Sequence, residues 1–212
     1  MPSDLQVSNI RDQANANSAI TIASDGQITV NQNNPTLTLG SNASGFTGIK
    51  TVDVWHLKQN ISGNQAPIEA QYFQRGTASM GGANLGTGIS LNGSGSDDGI
   101  FTFPSTGIWR VEGKWNFELN GDARYIFAEI KVSTTGTGGT FTSRSMGKAF
   151  IQQTQSSTTN TSCYDTLILD VTTSGTSGTA IQIDMSMAGT ATINGGTTSM
   201  SSFLVFTRLG DT

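Results

Sequence analysis

From residue 109 to 119 the chain reads WRVEGKWNFEL, with Trp109, Val111, Gly113, Trp115, Phe117 and Leu119 at odd positions and Arg110, Glu112, Lys114, Asn116 and Glu118 at even ones. Successive side chains of an extended chain point to opposite sides, so this alternation demands a β-strand with one face in a core. The same period returns in Ile126, Ala128, Ile130 and Val132, and in Ile181, Ile183, Met185 and Met187. No segment places apolar residues at i, i+3, i+4 and i+7 over three turns, as an amphipathic helix requires. Short alternating runs separated by turns such as TTGTGGT and TSGTSGT predict an all-β sandwich or barrel. Further strands are expected over 53–58, 69–75, 99–103, 143–151, 161–171 and 202–208.

The chain has 212 residues, enough for one domain and an appendage. Only 12% are charged and 26 are glycine, so hydroxyls and amides carry its solubility. A net charge of −4 without clustered Lys and Arg argues against nucleic-acid binding. Its single cysteine, Cys163, excludes an intramolecular disulfide and a cysteine-based zinc site, and no cofactor is expected. No run approaches ~18 apolar residues, so membrane insertion is not expected. MPSDLQVSNIRDQ lacks the basic start and apolar stretch of a signal peptide, which predicts synthesis in a cytosol.

Residues 1–50 read differently from 51–212, and the two are expected to be separate units. Three short alternating pieces, 19–23, 27–30 and 36–39, are separated by SDG and QNNP, and each offers only two or three apolar residues to one face. Such thin strands need a partner, and identical segments of sister chains supply one. Residues 40–52, GSNASGFTGIKTV, read as a linker.

Two strands are apolar on both faces. SSFLVFTRL places Phe203 and Val205 on one side with Leu204 and Phe206 on the other, and CYDTLILDV carries Leu167, Ile168 and Leu169 in succession. A strand apolar on both sides must be covered on both. In a two-sheet sandwich the second cover is either another subunit or a loop. The residues expected at a subunit interface are Leu167, Ile168, Leu204 and Phe206.

GIFTFPSTGIWRVEGKWNF, residues 99–117, resembles the central signature of C1q/TNF-like trimeric jelly rolls, F-x-F-P-x-x-G-x-[YW], here Phe101, Phe103, Pro104, Gly107 and Trp109. SSFLVFTRL is similar to that family's last strand. VDVWHLKQNISGNQAPI, 52–68, is similar to the first strand and loop of C1q-like domains in marine phage proteins. The resemblance spans roughly 50–210 and implies ten short strands in two sheets, with three protomers around an axis lined by the inner sheet. LQVSNIRDQANANSAITIASDGQITV is similar to the starts of structural proteins of tailed phages, in which a short head docks onto the virion and a three-chain β shaft follows. It implies an anchor at Leu5, Val7 and Ile10, held by major capsid or tail and neck proteins.

The chemistry-bearing residues are sparse. His56, the only histidine, is accompanied by no G-x-S-x-G elbow or neighbouring acid signature, and reads as structural or solvent-facing. Glu112, Glu118, Asp122 and Glu129 are candidates for a glycosidase pair but fall on polar strand faces or in a hairpin. Asp97 and Asp98 in NGSGSDDGIF are weak calcium candidates without D-x-D-x-D-G spacing, and a plain turn is the competing reading. Trp55, Tyr72 and Tyr164 are candidate glycan contacts. Together with the resemblances to C1q/TNF-like domains and phage structural proteins, which imply the trimer and the virion, these features lead to the expectation of a non-enzymatic homotrimeric phage virion protein, a capsid decoration or short fibre. The alternative is a receptor-binding fibre tip that reads host surface glycans.

Overall fold

The computed structural model describes residues 9–11, 18–22, 28–30 and 49–212, except positions 81, 83, 96, 97 and 155. The chain divides into two compact units, Met1–Gly45 and Phe46–Thr212.

In the first unit β1 (Asn9–Arg11), β2 (Ser18–Ile22) and β3 (Ile28–Val30) form an antiparallel meander. Ile10 lies opposite Ile20, and Ile20 opposite Val30, so three β-branched residues share one row. The alternating pieces expected at 19–23 and 27–30 are β2 and β3. The piece at 36–39 and the anchor residues Leu5 and Val7 fall outside the described residues, as do Asp97 and most of the linker.

The second unit is an all-β jelly roll of two antiparallel sheets. Its strands are β4 (Thr51–Leu57), β5 (Ile61–Ser62), β6 (Phe73–Arg75), β7 (Ser90–Asn92), β8 (Ile100–Thr102), β9 (Gly107–Leu119), β10 (Ala123–Ser133), β11 (Thr142–Ile151), β12 (Thr159–Val171), β13 (Ala180–Met187), β14 (Thr192–Ile193) and β15 (Phe203–Gly210). The larger sheet runs β12–β9–β15–β4–β6, and β14 and β5 continue it beyond the start of β15. The smaller sheet runs β11–β10–β13–β8–β7. Sequence periodicity located the long strands. It missed β5, β7 and β14, two or three residues each, and it extended β6 back over residues 70–72, which form a 3-10 turn.

The alternation in 109–119 does what its period requires. Trp109, Val111, Trp115 and Phe117 are fully buried and meet Ile126, Ala128, Ile130, Ile181, Ile183 and Met185 from the smaller sheet. The F-x-F-P stretch brings Phe101 and Phe103 into the same layer. Phe101 sits edge-on to Phe73 at 4.9 Å and Trp55 at 5.5 Å, and Phe103 edge-on to Trp109 at 5.2 Å. The Trp109 indole N–H donates to the Ser105 carbonyl at 3.2 Å, tying the Pro104 turn to the strand it introduces. Edge-to-face packing suits the ring quadrupole, so this cluster fixes relative orientation as well as burying area.

The sandwich is closed along one side where β11 meets β12. The Ser145 hydroxyl donates to the Thr166 carbonyl at 2.8 Å, and a Cβ placed on Gly147 would fall 2.3 Å from the Tyr164 carbonyl oxygen. Only glycine admits that approach of two backbones.

Candidate subunit interface and surface sites

The outward face of the larger sheet follows from register. One row reads Tyr164, Lys114, Phe203, His56 and Gln74 across β12, β9, β15, β4 and β6. The next reads Thr166, Glu112, Val205 and Val54, and the third Ile168, Arg110, Thr207 and Val52. Phe203, Val205, Val52 and Val54 are half-buried and His56 and Thr207 buried, while Ile168 is 63% and Tyr164 66% exposed. The charges at the middle of this face satisfy one another. Arg110 pairs with Glu112 at 2.8 Å, and the Lys114 ammonium lies 5.9 Å from the Phe203 ring centroid. This is a largely apolar surface around the axis of β15, with one ion pair and the Lys114 cation beside Phe203.

This register corrects the expected interface. Leu204 and Phe206 stand opposite Gly113 and Val111, point between the sheets and are fully buried within a single chain. Phe206 lies 5.5 Å from Phe101 and 6.1 Å from Phe103. A shift of one position exchanges the faces of a strand, and both faces of SSFLVFTRL are apolar, so the pattern did not say which was inward. Phe203 and Val205 are the outward pair. Leu167 likewise turns inward and packs against the core, and of the four expected residues only Ile168 lies on the open face.

The candidate glycan contacts are dispersed. Trp55 is buried on the inward side of β4, its indole N–H donating to Asp53 at 3.1 Å and its ring 4.8 Å beneath the Arg75 guanidinium. Tyr72 sits in the 3-10 turn, half-buried against the core. Neither offers an open ring face. Tyr164 is exposed, in the outward row of the larger sheet opposite Lys114.

The remaining polar candidates are scattered too. His56 is fully buried; its Nδ1–H donates to the Leu57 carbonyl at 3.1 Å and its Nε2 has no hydrogen-bond partner among the described residues. Glu112 and Glu118 stand on β9, Glu129 on β10 in the other sheet, and Asp122 in the β9–β10 hairpin, where it accepts from the Gln153 amide at 2.6 Å. Asp98 is exposed, its backbone bridged to Glu69. Among the described residues no three His, Cys, Asp or Glu side chains gather as metal ligands.

Sequence reasoning passed over two buried polar sites. Asp53, fully buried on β4, takes the Trp55 indole N–H, the Ile89 amide at 2.7 Å and the Arg75 guanidinium at 3.1 Å. Arg75 also donates to the Ile89 carbonyl, so the group clamps β4, β6 and the entry to β7. Asp165 lies on the inward side of β12 beside Cys163. Its Oδ1 accepts from the Trp115 indole at 3.1 Å, and its Oδ2 has no partner among the described residues. Burial pushes its pKa up to about 6, against the opposing pull of the Trp115 hydrogen bond. Gly113 leaves it room, since a Cβ there would fall 2.0 Å from Oδ1. Burial likewise pushes the Cys163 thiol up to about 12, which makes it an unreactive core residue. The clue to Asp165 was its parity: it shares the side of the strand that carries Cys163 and Leu167.

No protein-family model and no curated protein matches the chain. Among solved structures, Eiger TNF from S. frugiperda superposes with a TM-score of 0.54 at 13% identity, over 76% of this chain and 93% of that one. Murine APRIL at pH 8.0 and at pH 5.0 gives TM-scores of 0.44 and 0.47 at 16% and 15% identity, each over 74% of this chain and 99% of that one. At such identities a likeness is one of fold. With the two-sheet topology above, the Eiger superposition makes the second unit a TNF-like jelly roll.

Proposed function

We propose that the chain is a structural protein of a bacteriophage virion. In this reading it is a homotrimer whose jelly-roll knobs pack around an axis lined by the open face of the larger sheet, and its N-terminal residues, Ile10 among them, dock onto a capsid or tail protein. The observation that carries the reading is the outward row set of β12, β9, β15 and β4. It presents Phe203, Val205, Val54, Val52 and Ile168 around an internally paired Arg110–Glu112. Covering such a face with sister copies removes apolar area from water at roughly 25 cal/mol per Å², offset by association costs. The number three and the virion come from the resemblance to C1q/TNF-like domains and phage structural proteins. Three anchors on one particle multiply a weak attachment through effective concentration.

Light scattering on the purified full chain tests the self-association. The expected mass is three times 22.2 kDa. Val205→Asp, which sets a new carboxylate beside Glu112, is expected to yield a folded species of one-chain mass. A wild-type mass of one chain, or a fully trimeric Val205→Asp, overturns the assembly. Antibody against residues 140–200, imaged on intact particles, tests the virion assignment, and unlabelled particles overturn it.

A further inference from the structure

On the opposite side of the sandwich, the pairing of β10 with β11 contains a bulge. Ala123 stands opposite Ile151 and Ile126 opposite Ala149, so Arg124 and Tyr125 together oppose the single residue Phe150. An extra residue of this kind bends the strand and re-aims its side chains. All three side chains emerge into solvent, Tyr125 with 45% and Phe150 with 64% of its surface exposed. Phe127 stacks beside Tyr125, ring centroids 6.1 Å apart and planes inclined by 23°. Aromatic rings held in a cluster and left in water mark a surface that something covers.

The charges around this ledge have one sign to spare. The outward side of β11 carries Met146, Lys148 and Phe150, with Lys148 across from Phe127, and Arg144 stands in a second bulge between Ser143 and Ser145; all four are exposed. The side chains of Arg124, Arg144 and Lys148 have no ion-pair or hydrogen-bond partner among the described residues, in a chain whose net charge is −4. Of the nearby acids, Asp122 accepts from the Gln153 backbone amide and keeps its charge, and Asp184 and the buried Glu129, opposite each other, act on Lys131, so Arg124, Arg144 and Lys148 still outnumber the acid left over. A depression of about 360 Å³ lies beside Phe150, lined by Asp122, Ala123, Arg124, Ile151 and Gln152. That volume is in the range of small-ligand clefts, roughly 300–1,000 Å³. Its rim is fixed by hydrogen bonds from Gln153 Nε2 to Asn120 at 2.5 Å and from the Ala188 amide to the Tyr125 carbonyl at 2.9 Å.

We propose that this ledge binds an acidic polysaccharide. A pyranose has a flat face of C–H bonds that lies on an aromatic ring and an edge of hydroxyls that bonds amides and carboxylates; Phe150, Tyr125, Gln152 and Asp122 supply both. The Arg124 guanidinium takes the carboxylate or sulfate of that sugar in a forked, charge-assisted contact. Lys148 and Arg144, farther along β11, meet charges on the units that follow. The ledge lies on the outward side of the smaller sheet, a different face from the one proposed above to line the axis.

Isothermal titration of the full chain with oligogalacturonate, dextran sulfate, neutral dextran and single-stranded DNA tests it. Binding is expected to one or both acidic polysaccharides, weakening as salt is added, and the tighter of the two identifies carboxylate or sulfate as the anion. Phe150→Ala is expected to weaken binding about tenfold at every salt concentration, a loss of contact area. Arg124→Gln with Lys148→Gln is expected to weaken it about tenfold and to flatten the salt dependence. These positions are exposed, so each variant should keep the wild-type melting temperature and mass. No binding to either acidic polymer, equal binding of neutral dextran or DNA, or variants that bind as tightly as wild type would overturn the proposal.

Discussion

Asp165 shows how a single side chain writes a pH dependence into a core. Its carboxyl holds a proton up to about pH 6 in the folded chain, against an ordinary value near 3.8. Below about pH 4 both states are protonated and the residue costs nothing. Between there and pH 6 the unfolded chain ionises first, and stability falls as pH rises, by an upper bound of about 3 kcal/mol. Asp165→Asn keeps an oxygen for the Trp115 indole and removes the titration. Urea melts at pH 4, 5, 6 and 7.5 should therefore show the wild type losing stability relative to the variant across that window, with the gap constant above it; parallel curves would refute the assignment. The same scale explains what the sequence hid. An aspartate at an inward position reads as a break in the pattern, and only the juxtaposition with Gly113 and Trp115 shows how it is accommodated.

Among elements, β9 and β15 mark the two extremes of legibility. β9 alternates apolar with charged residues, so its inward face was readable, and burial follows it position by position. β15 opens with four apolar residues, Phe203 to Phe206, and its faces are assigned only by pairing with β9 and β4. The sequence pattern supported the need for two covers while leaving their identities exchanged. The distinction is measurable. Phe206→Ala removes a ring packed between Phe101 and Phe103 and should cost about 3–5 kcal/mol in chemical denaturation. Phe203→Ala should cost far less in a monomeric background such as Val205→Asp, and comparable losses would mean that the faces are wrongly assigned. The small strands β5, β7 and β14 were invisible because two or three residues carry no period, and neighbouring strands alone hold them extended. Even the β10–β11 bulge was unreadable in sequence, being a property of the pair.

For the whole molecule, the division into Met1–Gly45 and Phe46–Thr212 makes a separable prediction. The second unit contains the complete buried aromatic cluster. Removing residues 1–45 should leave its calorimetric melting temperature unchanged and abolish incorporation into particles. A knob that no longer folds would show that the two units share their stability, and truncated chains still found on particles would move the anchor elsewhere. Composition and motif foretold the class of this fold because a jelly roll is built from alternation and turns. They were silent on the acidic-sugar ledge because Arg124, Tyr125 and Phe150 lie in two different strands.

The place of β15 in the larger sheet has a consequence for how the molecule is made. The last strand of the jelly roll is inserted between β9 and β4, bonded to both, with Thr51 opposite Arg208 and Phe203 opposite Lys114. A ribosome delivers this central strand last, after every neighbour has emerged. Until then β4 and β9 face each other across an unfilled slot, each with an unpaired backbone edge of the kind that invites wrong pairing. Completion of the jelly roll therefore waits for its most C-terminal strand, and a nonsense codon anywhere before residue 203 deletes the middle of a sheet rather than its margin.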